Sequence, residues 1–408
     1  MEGKRLIRTL RLKNLLSYGS EGEEVELQPL NVLIGANASG KSNLIEVLRL
    51  LRATTQSQNS QDLNSLIYAG GGIQEWLWKG INEIPTAEIE TILDFNFPET
   101  SMSLRYRLCF TMLNERLMIR DEVIENKDSS DSNDFFYRYH EGSPVLNTKY
   151  GMNKNLNQIP RGQGGIDLNK SILSQIKSPD YPEITHLSNS FSLIYFYKLW
   201  KFSLYAPPRQ PIPSEAPEDF LTEDGSNLAL VVNNLRSRMS SNKFREKFIS
   251  KLTNFSDIMN EVTTRISGGT VHLFIEECLN NLAEENVKIP ANRLSDGTLN
   301  YLCLLALLVD PTPPPLICIE EPEIGLHPDI LPTIAELLIE ASGRTQLIVT
   351  THSDALVSAL PPESVLVCER NKKGSYLRRL NPEQLEKWLE KYTLGDLWRM
   401  GQIGGNRW

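Results

Sequence analysis

Cysteine is scarce in this chain, and none of it is arranged for metal or disulfide chemistry. The 408 residues hold five cysteines and no Cys-x-x-Cys pair. Cys303, Cys318 and Cys368 lie singly in apolar runs, which excludes a disulfide framework or a zinc site and predicts reduced thiols in a cytoplasmic protein. Long apolar runs are missing too. The longest, about Tyr301 to Val309, falls far short of the roughly 20 residues that span a bilayer. The opening Met-Glu-Gly-Lys-Arg has no apolar leader, so no membrane partner is expected. Positive charge is in deficit, with 42 Lys and Arg against 51 Asp and Glu and a net charge of −9. Such a chain binds nucleic acid poorly unless a local basic patch compensates. No internal repeat or extended heptad run is visible. What remains, 40% apolar and 23% charged, is ordinary for a soluble globular protein of two or three domains.

Against that plain background stand four motifs in a fixed order. Gly35-Ala36-Asn37-Ala38-Ser39-Gly40-Lys41-Ser42 fits G-x-x-x-x-G-K-[ST]. It follows a strand-like run (Leu30, Val32, Ile34) and opens a helix with polar residues at Asn43, Glu46, Arg49 and Arg52, the setting that gives this motif meaning. The amides of Gly35, Asn37, Ser39 and Gly40 would wrap phosphates, assisted by the helix dipole. Lys41 would contact the β- and γ-phosphates, Ser42 would ligate magnesium, and Asn43 completes the loop.

Leu316 to Ile319 is a short apolar run ending in Glu320 and Glu321. Two adjacent acids at a strand end repel unless a cation or water sits between them. A second such run, Leu347 to Val349, leads to Thr350-Thr351-His352-Ser353, where a neutral imidazole can sense a terminal phosphate. Leu294-Ser295-Asp296-Gly297 precedes a nearly all-apolar segment, Leu299 to Val309, read as a buried helix with Ser295 as its N-cap.

Elsewhere, alternation at residues 89–95, 104–110 and 117–124 predicts an antiparallel meander. Residues 54–72 are polar and Gly-rich, and 126–134 reads as a solvated loop. Helical spacing is read at 190–203 and 226–254, and a strand at Val271, Leu273 and Ile275. The five prolines of 206–218 exclude an α-helix there. A helix is expected near 329–341, and Val365 to Cys368 is another buried parallel strand.

The motif set resembles the RecF/SMC-type branch of ATP-binding-cassette ATPases. Leu10-Arg-Leu-Lys-Asn14-Leu-Leu-Ser17-Tyr18-Gly19 is similar to that branch's opening, and Glu321-Pro-Glu323-Ile-Gly325-Leu-His327-Pro328 to its late motifs. Asp224-Gly225-Ser226-Asn227-Leu228 and the end of the chain, Leu394 to Trp408, resemble a compact bacterial subgroup of predicted ATPases. These are related to the ATPase parts of Septu, Gabija and OLD-type anti-phage systems. The resemblance implies ATP and Mg²⁺ as cofactors and a homodimer closing over two nucleotides. Glu320 would orient the metal, Glu321 would be the general base and His352 the switch residue. Ser295 and Gly297 would bind the γ-phosphate held by the other copy. Asp296 stands where the family usually has Gly, so this acid must turn from phosphate towards its own chain or an arginine. Gln74 is a candidate metal contact. Tyr18 is either an adenine neighbour or a turn aromatic. Lys4, Arg5, Arg8, Arg11 and Lys13 are either a phosphate-backbone contact or a solvated sheet edge.

The fold expected is a bilobed α/β ATPase head, a mixed sheet with flanking helices and an antiparallel β subdomain, with an inserted α+β lobe. Residues 1–125 and 290–408 would form the ATPase lobe and 126–289 the insert. The function expected is ATP hydrolysis in DNA repair or anti-phage defence. The alternative is a nucleotide-gated module that docks a separately encoded effector. The stretch after His352 is too short for an OLD-type catalytic domain, so a nuclease would be a separate chain.

Overall fold

The computed structural model describes residues 3–57, 61–97, 100–129, 134–147, 154–155, 166–198, 200, 203, 205–278 and 287–405. At its centre is a six-stranded sheet ordered β10-β15-β16-β3-β17-β18. β3 is Leu30–Ile34, β10 Ile194–Tyr197, β15 Leu316–Glu320, β16 Gln346–Thr350, β17 Val365–Asn371 and β18 Gly374–Arg379. The first five run parallel, and β18 returns antiparallel to β17.

The strands are apolar on both faces because both are covered. Val32, Ile317, Ile319, Leu347 and Val349 pack into a core shared with the helices Asp296–Val309 and Leu331–Ser342. Their alternates, Leu33, Leu316, Cys318 and Ile348, face a second core with the phosphate-loop helix Lys41–Ala53. The two helices that matter most for chemistry therefore lie on opposite faces of one sheet.

The second core is closed by an eight-stranded antiparallel sheet ordered β2-β1-β4-β5-β6-β7-β8-β9. β1 is Ile7–Lys13, β2 Glu23–Glu26, β4 Ala87–Phe97, β5 Thr100–Leu113, β6 Arg116–Asn126, β7 Phe135–His140, β8 Ser143–Leu146 and β9 Lys154–Asn155. The meander expected from alternation is β4-β5-β6. A third sheet is built from β11 Ile212–Pro213, β12 Met259–Ser267, β13 Thr270–Glu277 and β14 Val287–Pro290. β13 carries the alternating Val271, Leu273 and Ile275 on its buried face.

Two expectations need correction. Residues 126–289 do not stand apart as one lobe. β7, β8 and β9 extend the antiparallel sheet of β4, and β10 joins the central sheet, so among the described residues the third sheet, β11 to β14, is what the central part of the chain builds apart from the other two. The helix placed at 190–203 ends earlier, spanning Pro182–Ser192. Ile194-Tyr-Phe-Tyr197 is a strand, since a β-branched and aromatic run beside β15 gains a hydrogen-bonded neighbour that a helix would forgo. The polar stretch 54–72 contains a helix, Leu63–Ala69, capped by Asp62 accepting from the Ser65 amide. The helical reading of 226–254 stands, as Leu228–Arg238 followed by shorter turns through Phe255. Of the expected loop 126–134, residues 130–133 lie outside the described residues.

A buried carboxylate joins the layers. Glu122 of β6 accepts hydrogen bonds from the Tyr106 hydroxyl, the Ser171 hydroxyl and the Ile172 amide. Burial raises its pKa, opposed by these hydrogen bonds. Among the described residues no helix is long and apolar enough to cross a membrane.

Candidate nucleotide site

The phosphate loop leaves β3 and turns into the helix at Lys41. Gly40 sits at φ 115°, and a Cβ there would lie 2.5 Å from the Ser375 hydroxyl, so this position is restricted to glycine. The loop is braced from behind. The Tyr18 hydroxyl donates to the Gly40 carbonyl at 3.3 Å, and the Ser375 hydroxyl to the Ser39 carbonyl at 2.5 Å. The Cys368 thiol reaches the same Ser39 carbonyl at 3.2 Å. Asn43 donates to the Ser17 hydroxyl at 2.7 Å, which is also held by Ser375. Tyr18 is wholly buried, so it supports the loop from inside and presents no face to an adenine; the turn-aromatic reading holds.

The front of the loop suits an anion. The helix start has no side-chain cap, leaving its first amides to an outside acceptor. The Ser39 hydroxyl is buried without a partner. Lys41 folds back across the loop, its ammonium donating to the carbonyls of Gly35 at 2.7 Å and Ala36 at 3.0 Å. Burial lowers its pKa, countered by Cys368 and Glu321. Asn37 and Ser42 are exposed beside it.

Parallel pairing brings the later motifs to the same sheet. Glu320 ends β15 with its carboxylate 3.6 Å from Arg49 and 3.7 Å from Lys198. Glu321 follows at φ 52°, its amide donating to Thr350 at the end of β16. Its carboxylate lies 3.7 Å from Nε2 of His352. A left-handed glutamate is uncommon, and here it turns the side chain towards the histidine. Oxygen ligands from Ser42 and one or two carboxylates, completed by phosphates, are the usual way to hold Mg²⁺. Among the described residues no group of three or more His, Cys, Asp or Glu could hold a metal alone.

Sequence reasoning missed the part Glu323 plays. Its Oε1 accepts from the Thr351 hydroxyl and the His352 amide, both at 2.7 Å, while Oε2 is buried without a partner. The Glu-Pro-Glu spacing was the available signal.

The turn at Ser295 is built as a cap and more. The Ser295 hydroxyl accepts from the Thr298 amide at 3.1 Å. Asp296 is drawn onto Arg209, whose other amine donates to the Leu294 carbonyl at 2.6 Å. The acid is thus turned to an arginine of its own chain. Gly297 packs so closely on the next loop that a Cβ would stand 2.6 Å from the Gly325 carbonyl. Asn300 donates to the Ile324 carbonyl at 2.6 Å. The short loop 321–326 therefore touches both the histidine segment and the Ser295 turn.

Two weaker candidates are placed elsewhere. Gln74 is exposed on the short helix Ile73–Trp76. It does not line the cavity of about 390 Å³ beside Asn43, where Ser17, Glu75, Trp78 and Arg370 do. Three of the N-terminal cations are matched by acids: Arg5 with Glu26, Arg8 with Asp94, Arg11 with Glu88. β1 lies between β2 and β4, so it is not a sheet edge.

A protein-family profile described as AAA domain, putative AbiEii toxin, Type IV TA system matches residues 30–358. The chain belongs to this family. This AAA-domain protein is also similar in structure to a crystal structure of an Smc head bound to the C-winged helix domain of ScpA, with 16% identity and a TM-score of 0.53 over 94% of this chain and 100% of that one. An Smc head with an extended coiled coil bound to the C-terminal domain of ScpA, from Pyrococcus furiosus, is 14% identical with a TM-score of 0.50, over 95% and 99%. No curated protein matches it. Its fold is that of an SMC/RecF-like cassette-type ATPase head.

Proposed function

We propose that this AAA-domain protein hydrolyses ATP with Mg²⁺ and closes as a homodimer over two nucleotides. Lys41 with Gly35, Asn37, Ser39, Gly40 and Asn43 holds the phosphates. Ser42 and Glu320 hold the metal, with Gln74 a lesser candidate. Glu321 takes the proton of the attacking water, and His352 reports the terminal phosphate. Ser295 and Gly297 serve the nucleotide of the other copy. The observation that carries this reading is the Glu321–His352 approach of 3.7 Å beside an uncapped phosphate loop.

Of the two roles considered, nucleotide-gated docking of a separately encoded effector, such as a nuclease, is favoured over direct action on DNA. The N-terminal arginines Arg5, Arg8 and Arg11 are each matched by an acid, leaving little local excess of positive charge there. The family description names a toxin–antitoxin system, and the two Smc heads were each seen with a protein partner. Either role accommodates anti-phage defence or DNA repair, in the cytoplasm.

The test is the solution mass of Glu321→Gln with and without ATP and Mg²⁺, by light scattering. A monomer-to-dimer shift that Lys41→Ala abolishes supports the composite site. A mass indifferent to nucleotide removes Ser295 and Gly297 from it.

A further inference from the structure

Glu320 meets two cations of unlike character. Arg49 stands on the phosphate-loop helix about two turns after Ser42. It lies 4.5 Å over the Phe196 ring and 3.5 Å from Glu46, with its side chain 22% exposed. Lys198 directly follows β10, and its side chain is 72% exposed. Its place beside Glu320 is set by strand pairing. β10 runs parallel to β15 with Tyr197 opposite Ile319, so the next residue of each chain segment is brought side by side. Arg49 is therefore clamped by stacking and by a second acid at close range, while Lys198 is largely exposed and feels Glu320, and Glu46 beyond it, through charge alone.

We propose that Lys198 is an exchangeable counter-ion of Glu320. It holds the carboxylate while no divalent cation is there, and yields it when Mg²⁺ arrives with nucleotide. The inference rests on the Mg²⁺ and ATP reading above. A divalent cation and an ammonium on one carboxylate repel, and the exposed, weakly tethered lysine is the partner that moves. Arg49 stays and keeps the acid oriented. Lys198 thus sets how much Mg²⁺ the site needs; it is a positioning residue and does not act on the reacting atoms.

The experiment uses the full chain and a fluorescent non-hydrolysable ATP analogue, titrated across Mg²⁺ concentrations and in chelator. Removing the competing charge in Lys198→Met lowers the Mg²⁺ concentration for half-maximal binding by about five- to tenfold. Lys198→Gln behaves alike, and Lys198→Arg stays within about twofold of wild type. Binding in chelator is unchanged throughout. An Mg²⁺ midpoint identical in all four proteins overturns the proposal. So does weakened binding of Lys198→Met in chelator, which makes the lysine a phosphate ligand instead. A wild-type chain that binds no analogue at any Mg²⁺ concentration overturns the nucleotide reading beneath it, a failure seen without any variant.

Discussion

Arg209 grips Asp296 with one amine and the Leu294 carbonyl with the other, from 87 and 85 positions earlier in the chain. The acid that breaks the family pattern is thereby neutralised within its own chain. Arg209→Met leaves a buried carbonyl and a free acid, and should cost about 1–3 kcal/mol of stability. It should also weaken ATP-dependent self-association about tenfold or more. Adding Asp296→Gly should restore association but not stability. Thermal melts and light scattering in the Glu321→Gln background separate the two effects.

Glu323 holds the His352 segment by accepting from its backbone amide. Glu323→Ala removes the acceptor of that amide and of the Thr351 hydroxyl. Turnover should fall about tenfold or more with little change in KM, since binding at the phosphate loop is untouched. Glu323→Gln keeps one acceptor oxygen and should lose less than about threefold. Equal damage from both variants would show that charge, not positioning, is what matters.

Glu122 predicts a pH signature. Its folded-state pKa is raised, so between its ordinary value and that raised value the folded chain binds the extra proton. Its contribution is therefore fully present at low pH and is lost as pH rises through the folded-state value. The stability of wild type relative to Glu122→Gln should decline as pH rises above the ordinary carboxylate value of about 4. Denaturant melts across that range measure it, and a flat difference would falsify the assignment.

Local patterns carry most of the candidate site. The phosphate loop, the acid pair, His352 and the Ser295 cap are legible because each is contiguous and sits at the edge of an apolar run. The parallel strands are legible for the same reason. Legibility stops where meaning depends on a distant partner. Ile194–Tyr197 gains its strand identity only from β15, some 120 positions on. Lys198 inherits its place from that pairing. Arg209 looks like one more residue in a proline-rich stretch until Asp296 is beside it. Tyr18 was ambiguous because an aromatic near a phosphate loop can face inward or outward, and only burial decides. Gln74 is a candidate by spacing alone, and it stands exposed on the short helix Ile73–Trp76.

The contact of Gly297 with Gly325 has a mechanical consequence. With a would-be Cβ already 2.6 Å from the opposing carbonyl, the two turns meet backbone to backbone, with no flexible side chain between them. Side chains absorb small displacements by changing rotamer; peptide planes do not. In gear terms the joint has almost no backlash. A shift of the 321–326 loop should therefore press directly on the start of the Asp296–Val309 helix, and pressure on that helix start should return by the same route.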